Sequence, residues 1–195
     1  MSAAHVLVRR LSPAQAETRR RLLEAARALA SEGGYDAVTI RKVAARAGLS
    51  TPTAYQYFAS KDHLLVDSMV GLVGDTTSAV QTRPTRGSPG IERTVATLRR
   101  VMRRVEKEPN LYIAMMRAYI SGSPAVAHAR AAMETSMRSW IDAALGSAEM
   151  GDREDVVSIL ESVLFAGMVG LVTGSRAPAD IADQLERAVR VLWNR

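Results

Sequence analysis

Residues 39–64 read TIRKVAARAGLSTPTAYQYFASKDHL, and this stretch decides the fold. Thr39 is suited to cap a short helix whose apolar face is Ile40, Val43, Ala44 and Ala47, and Gly48 supplies the left-handed residue that ends it. Ser50 opens a second short helix as its N-cap. Pro52 is tolerated in that helix's first turn, where amides lack intrahelical partners anyway. The second helix runs only to about Phe58, and Ser60 caps the next. Two short helices joined by a tight glycine-containing turn have the size and order of a helix-turn-helix, in which the second helix enters the major groove of DNA.

Working outward, the same helical period continues in both directions. Leu22, Leu23, Ala26, Leu29 and Ala30 make residues 12–32 an amphipathic helix that Gly33 and Gly34 should stop. After Ser60, Leu64, Leu65, Met69, Leu72 and Val73 mark a long helix that fades before Arg83. The run Arg83 to Gly90 is loop-like, and five further helices are expected over 91–106, 110–120, 125–145, 152–173 and 179–193. Period-2 alternation and hairpin dipeptides are missing. The expected fold class is therefore all-α, with about nine helices: a three-helix DNA-binding unit in residues 1–62 and a helical-bundle ligand-binding and dimerisation domain in residues 63–195.

Charge agrees with that division. The 195 residues hold 26 Lys plus Arg against 20 Asp plus Glu, a net charge of +6. Ten of the basic and five of the acidic residues precede His63, leaving 16 and 15 beyond it. The first third is the basic part, which fits an anionic partner such as nucleic acid, or a solvated basic face. With no cysteine there is no disulfide framework and no thiol nucleophile. Residues 1–10 lack the apolar run of a secretory signal, and no segment reaches roughly 18 uncharged apolar residues. A cytoplasmic, nucleoid-associated protein without membrane contact is the expectation. His5, His63 and His128 stand alone, and no nucleophile elbow or phosphate-binding glycine loop is present, so neither an enzyme nor a cofactor or metal is expected.

The second short helix offers Thr51, Thr53, Tyr55, Gln56 and Tyr57 to a groove, with Arg41, Ser50 and Lys61 flanking it. Gln56 has the amide that can read an adenine, or it can face phosphate. Lys61 and the first amides of the helix after Ser60 could hold one phosphate together. Gly34-Tyr35, Ala44, the Ala47-Gly48-Leu49-Ser50 turn, Tyr55, Tyr57, Phe58, Ser60, Lys61 and Leu64 resemble the DNA-binding segment of the TetR family of bacterial repressors. The resemblance implies phosphate contacts for Thr39, Tyr55, Tyr57 and Lys61. Thr51, Pro52 and Gln56 stand where lysine, glycine and arginine are frequent in the family, which bears on the operator sequence.

The same resemblance implies a larger domain that binds a small molecule and forms a homodimer on a palindromic operator. Leu72, Met102, Leu111, Met115, Met116, Tyr119, Met133, Met137, Trp140, Phe165, Met168 and Val169 are the candidate lining, either of a cavity for an elongated, largely apolar ligand or of an ordinary bundle core. Residues 152–173 are apolar over most of the helix circumference, so the last two helices are expected to pair with their symmetry mates. Residues 33–37, 60–66 and 108–119 are similar to the KstR-type repressors of steroid catabolism, which implies release from DNA by a steroid or acyl coenzyme A thioester. In that case Arg99, Arg100, Arg103, Arg104 and Arg117 are candidates for its phosphates; otherwise they form a solvated face paired with Glu106 and Glu108. A multidrug-type regulator of an efflux gene is the alternative.

Overall fold

The computed structural model describes residues 11–82, 90–147 and 152–193. Among them are nine α-helices and no strand: α1 (Pro13–Ala37), α2 (Ile40–Arg46), α3 (Thr51–Tyr57), α4 (Lys61–Thr82), α5 (Ile91–Lys107), α6 (Pro109–Ile120), α7 (Ala127–Leu145), α8 (Arg153–Val172) and α9 (Pro178–Trp193). One turn of 3-10 helix, Pro124–Val126, precedes α7. Most of the loop expected at Arg83 to Gly90 lies outside the described residues, as do residues 1–10 and residues 148–151 between the helices expected over 125–145 and 152–173.

Local chemistry starts the first four helices. Ser12 Oγ accepts from the Gln15 amide at 3.2 Å while Gln15 Oε1 accepts from the Ser12 amide at 2.9 Å, a reciprocal cap with Pro13 behind it. Thr39, Ser50 and Ser60 each accept an amide three residues on, at 3.2, 3.2 and 3.1 Å. Gly48 ends α2 at φ +65°, and its missing side chain leaves room for the Arg21 guanidinium, which donates to the Ala47 carbonyl. The expected stop at Gly33 and Gly34 is a kink instead: both glycines leave helical geometry, and one more turn follows to Ala37 before the Val38 amide bonds the Tyr35 carbonyl.

A single buried cluster runs from Leu22 to Val189. α1 lies against α4 and α6, and α4 also packs on α7. At the far end α9 packs on α5 and α8. Ile181, Leu185 and Val189 are buried inside their own protomer, so the apolar side of α9 serves its own core. Gly167 permits this closeness: a Cβ there would meet Ile181 Cγ2 at 2.7 Å. α8 is long and apolar enough to cross a membrane by length and composition, yet only 44% of its most apolar 18-residue stretch is buried. The remainder includes an uncharged outer stripe of Ser158, Ile159, Ser162, Phe165 and Ala166, at helical spacing.

Candidate nucleic-acid interface and cavity

α3 buries Ala54 and is followed by buried Phe58, while Tyr55 and Gln56 project outward. Tyr55 is 56% exposed, a large fraction for an aromatic ring. Tyr57 is half-buried against the core. Thr51 is half-buried, and the Thr53 and Ser50 hydroxyls share a 2.7 Å hydrogen bond at the helix start. Thr39 and Arg41 are exposed at the start of α2.

Several cations of this basic region are already neutralised. Arg19 pairs with Asp67 at 2.6 Å, Arg20 with Glu17 and Glu24, and Arg46 with Glu32 at 2.5 Å. Arg41 and Lys42 are exposed and form no ion pair among the described residues. Lys42 was not among the sequence candidates; its place one residue from Arg41 in the first turn of α2 was the available signal. Lys61 is turned back on the molecule. Its Nζ donates to the Tyr35 carbonyl at 3.4 Å and lies 3.6 Å from the Tyr35 ring centre. The Tyr35 hydroxyl donates to Asp62 Oδ1 at 2.6 Å, and burial together with that carboxylate pushes the phenol up to about 12.

In the bundle, α4, α6, α7 and α8 line a cavity of about 520 Å³ that is open on one side. Met116, Tyr119, Met133, Met137, Phe165 and Met168 of the sequence candidates line it. A smaller inner chamber of about 60 Å³ adjoins it, and Met69, Met137, Leu164 and Met168 line both spaces. Leu72, Met102, Met115 and Trp140 line the inner chamber. Leu111 is 4% exposed and Val169 packs against the core; neither lines either space.

Sequence reasoning missed the cavity's polar members, Glu134, Thr135, Arg138, Glu161 and Ser162. Their helical spacing from Met133, Met137 and Phe165 was a usable signal. Burial raises the Glu161 carboxyl above its ordinary value, against the pull of Arg138 at 3.6 Å, while Glu134 pushes it the same way as burial. Burial and Glu134 likewise raise the Tyr119 phenol.

The arginine-dense stretch divides. Arg99 joins Asp183 and Glu186 of α9 at 2.7 Å each, rather than Glu106 or Glu108. Arg117 joins Asp36. Arg104 donates to the Thr76 hydroxyl at 3.3 Å, beside the inner chamber, and Arg103 is exposed.

A basic helix-turn-helix carried on an α-helical body with a cavity is the design of a DNA-binding regulator. The description "Bacterial regulatory proteins, tetR family" matches residues 22–67, and "Tetracyclin repressor-like, C-terminal domain" matches residues 87–192. The chain belongs to the TetR family of bacterial regulatory proteins. Over 187 residues it is 34% identical to the HTH-type transcriptional repressor KstR of Rhodococcus jostii, covering 93% of this chain and 85% of that one. A TetR transcriptional regulator from Rhodococcus sp. RHA1 superposes with a TM-score of 0.78 at 26% identity, covering 92% of this chain and 97% of that one. The fold is shared also with Thermus thermophilus FadR in complex with lauroyl-CoA, at TM-score 0.71 and 23% identity over 89% and 92% of the two chains.

Proposed function

We propose that the protein is a cytoplasmic, homodimeric transcriptional repressor that leaves a palindromic operator when an apolar effector fills the cavity. Residues 1–62 read DNA and residues 63–195 bind the effector and dimerise. The observation that carries this reading is the cavity's position: it borders α4, whose first residue is Lys61, and α6, which packs on α1. A ligand that favours one arrangement of these helices shifts the population of the DNA-competent state. Thr51 and Gln56 meet the groove, while Thr39, Arg41, Ser50, Thr53, Tyr55, Tyr57 and Lys61 position the backbone. The uncharged outer stripe of α8, with α9, pairs across the twofold axis and sets the two α3 helices roughly 34–36 Å apart or somewhat more.

The similarity to KstR and the fold shared with the lauroyl-CoA complex support a steroid or acyl coenzyme A thioester as effector. Arg100, Arg103 and Arg104 then hold its phosphates, since Arg99 and Arg117 are engaged elsewhere. Glu134 and Glu161 against the single Arg138 favour a second reading, a cationic drug. A DNA-mobility assay on the fragment upstream of the protein's own gene, with steroid and acyl thioesters in one panel and cationic drugs in the other, decides. Release by thioesters is expected. Release by drugs alone overturns the effector class, and no retarded fragment overturns the repressor.

A further inference from the structure

The inner chamber is apolar except for three side chains, Thr76, Tyr112 and Trp140. The Thr76 hydroxyl is occupied: it donates to the Leu72 carbonyl at 2.7 Å and accepts from Arg104. Trp140 is different. Its indole is 2% exposed, and Nε1–H is fully buried with no acceptor among the described residues. Buried tryptophan donors ordinarily find a partner, because leaving one unmade sacrifices its hydration without return. Three of the four side chains shared by the two spaces, Met69, Met137 and Met168, are unbranched thioethers that change rotamer at small cost.

We propose that the methionines form a movable partition and that Trp140 Nε1–H is the donor for a carbonyl oxygen on a compact, rigid apolar group entering from the outer cavity. This inference rests on the cavity being the effector site and specifies what the buried end of the effector carries. The class is a neutral hydrocarbon framework with one hydrogen-bond acceptor. A cation or a pure hydrocarbon leaves the indole donor unmade.

The test uses the full-length Trp193→Phe protein, in which Trp140 is the sole tryptophan. The probes are 2-adamantanone and 2-methyleneadamantane, where a CH₂ replaces the carbonyl oxygen without changing the shape. In ¹H–¹⁵N spectra the indole proton moves downfield with the ketone and stays near its starting position with the isostere. The ratio of the two dissociation constants favours the ketone by about tenfold more than in the additional Trp140→Phe variant. Equal indole shifts with both probes, or a ratio unchanged by Trp140→Phe, overturns the inference; so does binding of neither probe. The spectra on native Trp140 keep the test decisive if Trp140→Phe does not fold. Release of DNA by an effector alongside an indole signal that neither probe moves sinks the Trp140 assignment alone; loss of both sinks the cavity as the effector site.

Discussion

The Arg117 guanidinium lies 4.4 Å from the centre of the Tyr35 ring. The same ring carries the Lys61 ammonium at 3.6 Å, so one tyrosine joins the end of α6 to the start of α4 through two cations. Arg117 also sits between Met116 and Tyr119, which line the cavity. On the proposed function, a displacement of α6 by an effector reaches the foot of the DNA-reading unit through a stack worth about 0.5–1 kcal/mol at a partly exposed site. Arg117→Ala is expected to leave effector affinity for the free protein nearly unchanged and to cut the effector's effect on operator affinity by about two- to fivefold. Titrations of operator with and without effector measure it; an unaltered ratio counts against the link.

At the DNA face, Lys61 must leave the Tyr35 ring to reach a phosphate, and Lys61→Ala should then weaken binding to every sequence alike and lower the salt slope by about one unit. Gln56→Ala should change sequence preference and leave the slope alone. Competition against operator variants at several salt concentrations separates the two, and a uniform loss for Gln56→Ala would move that residue to the phosphate class.

Glu161 gives a pH signature. Its carboxyl titrates above the ordinary carboxylate value in the folded state because burial disfavours the charge. The folded state thus holds the proton more tightly than the unfolded chain, and stability falls as pH rises from the unfolded value through the raised one. Glu161→Gln should raise Tm near pH 7 and lose that advantage toward pH 4. Thermal scans across this range check the sign; a neutral-pH Tm below that of the native protein would show that the Arg138 pairing outweighs burial.

Gly167→Ala should cost about 1 kcal/mol, because the new methyl must displace Ile181 and the strain exceeds the gain in helix propensity. Denaturant unfolding at fixed protein concentration reads the loss.

The features most legible in the sequence were those decided within a few residues. Thr39, Ser50 and Ser60 cap helices through amides three positions on, so their roles follow from spacing alone. Periodicity also placed the boundaries of α5 to α9 to within two residues. Long-range partners were not legible. Arg99 meets its carboxylates 84 and 87 positions away, and Lys61 turns back to a carbonyl 26 positions earlier. The kink at Gly33 and Gly34 escaped for a similar reason, because the extra turn delivers Tyr35 to Asp62 across the fold. Nor does an apolar stripe reveal whether it fills a core or walls a cavity: Leu111 and Met115 are neighbours on α6, yet only Met115 lines a chamber.

Phe165 belongs to two surfaces at once. It walls the cavity, edge-on to Tyr119 at 6.1 Å between ring centres, and is 47% exposed on the outer stripe of α8. In the proposed dimer, where a second protomer covers that stripe, whatever moves the ring is felt by subunit association, and by reciprocity association is felt at the cavity. Abundance and sensitivity then become one variable: the cell's stock of the protein helps set the dose of effector that clears the operator.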